Sequence, residues 1–136
     1  MAKKIKQLTP LNDSMLKTSD RLVLKEVLYG KYRMKYLQTE RISINIGVSF
    51  KTIYNSLIRL HLNGFIHYAK PKGKRYYIVI VLNKTFKRYG INSDQIKENR
   101  ITSDETLRLI AAVQADEMAQ PIPDIQEMFN AIIDGN

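Results

Sequence analysis

A short stretch that begins at Ser49 carries polar side chains of the types that hydrogen-bond to the edges of DNA bases. Its apolar residues Ile53, Leu57 and Leu60 recur at spacings of three and four, which predicts an amphipathic helix over residues 49–63 with one buried stripe. Phe50 is a further candidate for that stripe. The polar residues left on the exposed face are the candidate contacts, namely Ser49, Lys51, Thr52, Asn55, Ser56 and Arg59.

Three of these side chains match the chemistry of particular bases. Asn55 can hydrogen-bond to N6 and N7 of adenine, Lys51 can bond to O6 and N7 of guanine, and Thr52 can contact the methyl group of thymine. Each good pair discriminates against the wrong base by about 1–3 kcal/mol. Ser49, at the helix start, and Arg59, about two turns further, are better placed for phosphates. Taken singly, Lys51 or Arg59 is more often plain surface charge on a solvated helix face.

A second group of cations follows that helix at the sequence PKGK, positions 71–74. The flanking segments 65–70 and 75–82 are rich in Tyr, Ile and Val, which predicts two strands joined as a β-hairpin. The tip of this hairpin would crowd four like charges, namely Lys70, Lys72, Lys74 and Arg75. Such a cluster repels itself unless a phosphate backbone lies against it, although a solvated tip is the alternative.

The balance of charge separates the chain into two parts. Residues 1–90 hold 19 Lys and Arg against 4 Asp and Glu, giving +15, whereas residues 91–136 hold 3 against 9, giving −6. No acidic residue lies between Arg41 and Ile78, a stretch that includes the predicted helix and hairpin. Because phosphate repels carboxylates, this distribution favours a nucleic acid as the partner of the first part.

These candidate contacts need a rigid support, and the sequence on either side of Gly47 has the pattern of two helices joined by a tight turn. Thr39 is expected to cap a first helix that has Ile42 and Ile46 on its apolar face. Gly47 can adopt the positive φ that ends that helix, and Ser49 can cap the second one. The predicted unit is therefore a helix-turn-helix.

This pattern resembles the winged helix-turn-helix superfamily over residues 20–83. The residues that carry the resemblance are Ile42, Ile46, Gly47, Val48, Ser49, Ile53, Leu57, Leu60, Gly64 and Ile66. The resemblance implies an α+β, mostly α fold in which the second helix enters the DNA major groove and a basic β-hairpin, the wing, follows directly. Arg41, near the start of the first helix, would then join the phosphate contacts. The chain departs from the superfamily's pattern at Ser43, where Ala is usual, and is more polar than usual at Arg41.

Composition and helix breakers divide the chain into four predicted segments. They are a basic N-terminal arm over residues 1–19, the winged helix-turn-helix DNA-binding domain over 20–90, a helical dimerisation segment over 91–120 and an acidic amphipathic tail over 121–136. The arm is either a flexible extension that follows DNA or a disordered terminus. The domain is predicted to begin with a helix over residues 21–29, capped by Ser19 or Asp20. A short strand around residues 36–38 is expected next, rather than a continuation of that helix past Gly30.

The last two segments leave alternatives open. Thr102 and Glu105 fit a capping box for a helix over residues 103–120. Its apolar side is formed by Leu107, Ile110, Ala111 and Val113. This helix is expected to form a homodimer, although packing on the domain's own core is the alternative. A further amphipathic helix from Asp124 either packs in the same way or docks into the groove of a protein partner.

The composition argues against an enzyme, a metal site and a cofactor. The chain has no cysteine, so it can form neither a disulfide nor a thiolate zinc site. Its two histidines, His61 and His67, have no carboxylate close in sequence, and no glycine-rich phosphate loop is present. The longest apolar run, residues 76–82, is far shorter than the roughly 20 residues that span a bilayer. The N-terminus lacks the apolar core of a secretory signal, so a cytoplasmic, nucleoid-associated location is expected.

Together these patterns predict a sequence-specific regulator of transcription that binds double-stranded DNA as a homodimer. The small size of the chain suits a regulator carried by a plasmid or phage. One alternative keeps DNA binding but assigns it to plasmid or phage replication or partition, with the C-terminal segment recruiting a partner. An alternative of another class is a winged helix that binds RNA or another protein.

Overall fold

The computed structural model describes residues 7–118 of the chain. Its helices are α1 (Thr18–Leu28), α2 (Thr39–Ile46), α3 (Phe50–Leu62), α4 (Asn83–Arg88) and α5 (Asp104–Met118), and its strands are β1 (Met34–Gln38), β2 (Ile66–Ala69) and β3 (Tyr76–Val81). Short 3-10 turns lie at Pro10–Asn12, Tyr29–Lys31 and Ser93–Gln95. The predicted α+β, mostly α fold is confirmed. None of the helices within residues 7–118 is long and apolar enough to cross a membrane.

The three strands form one antiparallel sheet in the order β1-β3-β2. The central strand β3 pairs with both of the others. Gln38 of β1 lies opposite Tyr76, and Ile66 of β2 lies opposite Val81. The hairpin of β2 and β3 is the predicted wing, and β1 is the predicted strand, beginning earlier than expected at Met34. The order α1-β1-α2-α3-β2-β3, with this sheet, is that of a winged helix-turn-helix fold.

Strand β3 is buried on both faces because its side chains alternate between two apolar clusters. Alternate residues from Tyr77 onward pack with the apolar residues of α1, α2 and α3. The intervening residues, from Ile78 onward, face the opposite side and pack with Leu109 and Val113 of α5. The sheet thus lies between the helix-turn-helix and α5, which accounts for the unbroken apolar run over residues 76–82.

The turn between α2 and α3 has the predicted local chemistry. Gly47 has a φ of 67°, and the Oγ of Ser49 accepts a hydrogen bond from the N–H of Thr52 at 3.2 Å. The predicted cap of α2 is wrong, because Thr39 lies inside the helix. Its hydroxyl instead donates to the carbonyl oxygen of Arg75 at 3.1 Å. Thr39 therefore ties the start of α2 to the wing at Arg75, next to the turn that joins its two strands.

The predicted cap of α1 is also wrong. The helix begins at Thr18, and Asp20 lies within its first turn. Asp20 is buried, and its carboxylate accepts hydrogen bonds from the guanidinium of Arg59 in α3, the shortest at 2.8 Å. A buried carboxylate requires a partner of opposite charge. Asp20 therefore binds Arg59 of α3 instead of forming the cap of α1 that the sequence predicts. The chain leaves α1 through Gly30, whose φ is 75°, and the helix does not continue into β1.

Helix α4, which the sequence analysis did not predict, anchors the N-terminal segment. Its Phe86 is buried, and its Arg88 binds the buried carboxylate of Asp13 at 2.7 Å. The hydroxyl of Tyr89 donates to the same carboxylate at 2.8 Å. Residues 7–17 therefore pack on the domain rather than extending freely. Residues 18–19 of the predicted arm belong to α1, and residues 1–6 lie outside the described residues.

Helix α5 begins one residue later than predicted and is capped differently. The Oγ of Ser103 accepts a hydrogen bond from the N–H of Thr106 at 3.1 Å, so the predicted capping box of Thr102 and Glu105 is wrong. Near the other end, Glu117 binds the guanidinium of Arg33 at 2.8 Å. This ion pair joins the last turn of α5 to the start of β1.

The buried side of α5 is rotated relative to the prediction. Leu109 and Val113 pack on the sheet, whereas Leu107 and Ala111 are exposed and Ile110 is half-buried. The rotation arises because α5 packs on the outer face of β3. The periodicity of the helix alone does not indicate where this sheet lies. The predicted end of this helix at residue 120 and the tail over 121–136 lie outside the described residues.

Candidate nucleic-acid interface

Helix α3 is held by the buried stripe that its sequence predicts. The three residues of that stripe are fully buried in the main core: Ile53, Leu57 and Leu60. On the other side of the helix, Lys51 is exposed, and Thr52 and Asn55 are half-buried. These three polar residues lie outside the buried stripe, and their contact with DNA remains a prediction.

Ser49 and Thr52 form a local network at the start of α3. The Oγ of Ser49 accepts the N–H of Thr52 and also lies 2.9 Å from the Oγ1 of Thr52. Ser49 is exposed at a helix N-terminus, where free backbone N–H groups favour an anion such as phosphate. The hydroxyl of Thr52 is already engaged by Ser49, which leaves its methyl group for other contacts.

Two of the predicted contact residues have structural partners instead. Ser56 is fully buried, so the expectation that it lies on the exposed face is wrong. Its Oγ accepts a hydrogen bond from the guanidinium of Arg59 at 3.3 Å. Arg59 also binds Asp20 through its Nε at 2.9 Å, and this bond raises the pKa of the guanidinium. The charge of Arg59 is therefore offset by a carboxylate, which removes it from the strong candidates for a phosphate contact.

The tip of the wing gathers the predicted cations. All four are exposed, namely Lys70, Lys72, Lys74 and Arg75. The turn is closed by a hydrogen bond from the N–H of Lys74 to the carbonyl of Pro71 at 3.2 Å, and Gly73 supplies a positive φ of 75°. The Nζ of Lys70 lies 4.8 Å from the ring centre of Tyr77, a distance typical of a cation–π contact. The wing thus presents a concentrated positive charge on an ordered turn.

A groove between α1, β1 and α2 continues this basic surface. It is lined by Lys25, Lys35, Arg41 and Asn45 among other residues, and Arg41 is exposed. Lys35 is turned inward, where its Nζ donates to the carbonyl oxygen of Glu26 at 2.8 Å. Burial lowers the pKa of Lys35. Arg41 is therefore the cation of α2 that is directed to solvent, whereas Lys35 satisfies carbonyl groups at the end of α1.

Aromatic side chains join α3 to the wing. The rings of Tyr68 and Tyr77, from the two wing strands, lie 6.0 Å apart, and His61 of α3 lies 5.6 Å from Tyr68. Burial raises the pKa of Tyr68 and of Tyr77, and the nearby phenol of Tyr54 in α3 adds to both shifts. These contacts fix the separation between α3 and the wing.

Two aromatic residues on α3 belong to the exposed surface, and the sequence analysis did not count either of them among the base contacts. Phe50 is 56% exposed, so its candidacy for the buried stripe is wrong. Tyr54, one turn later, is 45% exposed. Its spacing of three from Ile53 placed Phe50 near the stripe, but Phe50 is the first residue of the helix and does not belong to the main core. Its position directly after the Ser49 cap was the signal that could have identified it.

The two histidines lie together between α3 and β2. Their ring centres are 4.8 Å apart. Burial and the neighbouring His61 lower the pKa of His67, as does Lys84, whereas Asp116 and Glu117 oppose this shift. Among residues 7–118, no group of three or more His, Asp or Glu side chains is arranged to hold a metal ion.

Comparison with known proteins gives similarities at the level of structure. No protein-family model matches the chain, and no curated protein matches it. The chain is similar to the structure of disulfide-formed AbfR, with 15% identity and a TM-score of 0.44, covering 92% of this chain and 77% of that one. It is also similar to the transcriptional regulator Tm0710 from Thermotoga maritima, with 16% identity and a TM-score of 0.41, covering 93% and 82% respectively.

Proposed function

We propose that this protein binds double-stranded DNA in a sequence-specific manner and regulates transcription, with α3 as the recognition helix in the major groove. The observation that carries the proposal is the two-sided character of α3. One side is fully buried at Ile53, Leu57 and Leu60, and the first two turns of the other side present Lys51 and Asn55. A helix of this kind fits the major groove, where Lys and Asn side chains discriminate between bases.

The charge around α3 supports a polyanion as the partner. The wing tip adds four exposed cations beside the recognition helix, and α2 adds Arg41. No Asp or Glu occurs from Arg41 to Ile78 to repel a phosphate backbone. In the proposed complex the wing contacts the backbone or the minor groove, which gives affinity, and the recognition helix gives specificity.

We further propose that the protein acts as a homodimer through the outer face of α5. Leu107, Ala111 and Met118 lie at spacings of four and seven on this helix and are exposed, with Leu107 59% exposed. A second copy is the partner that this stripe suits, because a two-fold pair of recognition helices reads half-sites about one DNA turn apart. The acidic segment 121–136 is proposed to recruit a protein partner.

Selection of bound duplexes from a random pool tests the proposal. We expect the wild-type protein to enrich one sequence, arranged as an inverted repeat. The double variant Lys51→Ala with Asn55→Ala should lose this preference, whereas Lys87→Ala, which removes an exposed cation of α4, should keep it. Retention of the full preference by the double variant would overturn the recognition-helix assignment.

Mapping of bound sites on the genome separates the regulator from its alternatives. Scattered sites at promoters favour regulation of transcription. A cluster of short repeats at one locus favours replication or partition of a plasmid or phage. Preference for single strands or for RNA in a competition assay would overturn the proposal of duplex DNA binding.

A further inference from the structure

An aromatic ring lies at the N-terminus of α3 and is not part of the core. Phe50 is the first residue of α3 and is 56% exposed, although large apolar side chains are usually buried. Tyr54 lies four residues later, so the two side chains are neighbours along one side of the helix. An exposed Phe at this position is understandable if a ligand covers it.

The aromatic pair runs beside the two polar residues that we propose as base contacts. Lys51 and Asn55 are also four residues apart, one position after Phe50 and Tyr54 respectively. The first two turns of α3 therefore carry an apolar column next to a hydrogen-bonding column. A base-pair edge that satisfies both columns must offer an apolar group beside polar atoms.

Only one apolar group is available on the major-groove edge of unmodified DNA, the C5-methyl group of thymine. Thr52 is the other residue of α3 that was expected to meet it. The hydroxyl of Thr52 is bonded to Ser49, however, and its side chain is half-buried. Phe50 is more exposed and stands nearer the helix N-terminus, which is the end that contacts bases in a helix-turn-helix.

We propose that Phe50, with Tyr54 beside it, recognises the C5-methyl group of a thymine in each half-site. This inference rests on the proposed DNA binding and names a base that the site must contain. The neighbouring cations favour DNA over an apolar protein surface as the cover of Phe50, because Lys51 and Arg41 are both exposed on the same helix-turn-helix. The operator should therefore carry a thymine within reach of the first turn of α3.

Deoxyuridine substitution tests the proposal, because it removes the methyl group and leaves every hydrogen-bonding atom of thymine in place. Each thymine of the selected operator is replaced singly, and the dissociation constant is measured by fluorescence anisotropy. We expect the wild-type protein to bind about fourfold more weakly at one position per half-site, the loss that corresponds to one buried methyl group. Phe50→Ala should bind the thymine and uracil duplexes equally.

Two further variants complete the test. Leu62→Ala removes a 76% exposed apolar side chain from the far end of α3 and should keep the full uracil penalty. Phe50→Leu keeps an apolar side chain but shortens it, which weakens the contact with the methyl group. The loss of affinity on uracil substitution should therefore fall between those of the wild type and Phe50→Ala. A wild-type protein indifferent to uracil at every position, or an undiminished penalty in the Phe50 variants, overturns the inference alone. Failure of the wild type to enrich any duplex overturns the inference together with the proposed function.

Discussion

At the scale of single residues, the protonation of one buried carboxylate, that of Asp13, is expected to affect stability. Asp13 accepts hydrogen bonds from Arg88 and Tyr89. The bonds from Arg88, with smaller contributions from Tyr89 and the N–H of Met15, outweigh burial and lower the pKa of Asp13 from 3.8 to about 2. Because the pKa in the folded protein lies below that of the unfolded chain, this group stabilises the fold fully above pH 4. The contribution is lost as the pH falls toward 2.

Replacing this carboxylate by an amide should therefore weaken the fold at neutral pH. We expect Asp13→Asn to lower the free energy of unfolding by about 2 kcal/mol at pH 7, since the pair with Arg88 is lost. Urea unfolding at pH 7 and at pH 2.5 measures the effect, and the variant should differ less from the wild type at the lower pH. An equal difference at both pH values would contradict the account of Asp13.

A substitution of Arg59 can distinguish a role in stability from a role in DNA binding. Its guanidinium is shared between Asp20 and Ser56, and the Asp20 side chain is only 3% exposed. Arg59→Met should lower the free energy of unfolding by about 1–3 kcal/mol, because it leaves a buried carboxylate without its partner. The salt dependence of DNA binding should be unchanged. A flatter salt dependence at full stability would show that Arg59 binds a phosphate after all.

At the scale of elements, the wing is expected to act through charge rather than base recognition. We expect the double variant Lys72→Ala with Lys74→Ala to weaken binding to all duplexes similarly. The slope of log affinity against log salt concentration should fall by about 2, because two phosphate contacts are lost. Binding measured from 50 to 300 mM salt tests this, with Lys87→Ala as the control. Loss of preference between duplexes, with an unchanged slope, would assign base recognition to the wing.

Elements whose geometry depends on neighbours in sequence were predicted well. The positive φ of Gly47, the cap at Ser49 and the buried stripe of α3 follow from residues within one or two helical turns of each other. The hairpin likewise follows from the turn at residues 71–74 and its flanking β-formers. The helix-turn-helix and the wing were therefore accessible from the sequence.

Features that depend on contacts between distant parts of the chain were not predicted from the sequence. Asp20 accepts a hydrogen bond from Arg59, and Thr39 donates one to the carbonyl oxygen of Arg75, so neither side chain caps its own helix. Helix α4 is only six residues long, and its support comes from burial of Phe86 and from the bond to Asp13. Such contacts have no signature within a short window of sequence, which is why the burial of Ser56 against Arg59 was also missed.

At the scale of the whole molecule, the two sides of the sheet serve different purposes. The helix-turn-helix covers one face and carries the proposed DNA contacts, while α5 covers the other and is tied to β1 by Arg33 and Glu117. The outer face of α5 still exposes Leu107, Ala111 and Met118. This face lies on the opposite side of the sheet from the helix-turn-helix, so a second copy can bind there while α3 contacts DNA.

The dimer proposal can be tested without DNA. We expect sedimentation to show a dimer for the wild type and a monomer for Leu107→Glu, because a charge in an apolar interface is costly. Leu62→Glu places the same charge on an apolar position of α3 that is also exposed, and should leave the dimer intact. A monomeric wild type, or a dimer that tolerates Leu107→Glu, would contradict the proposed interface.

The central claim is that the outer face of α3 reads bases, and Asn55 tests it most directly. The measurement is the affinity of the wild type and of Asn55→Ala for every single-base-pair variant of the selected operator. We predict that Asn55→Ala loses about 1–3 kcal/mol of discrimination at one adenine per half-site and keeps it at the other positions. An unchanged profile of discrimination in Asn55→Ala would contradict the claim.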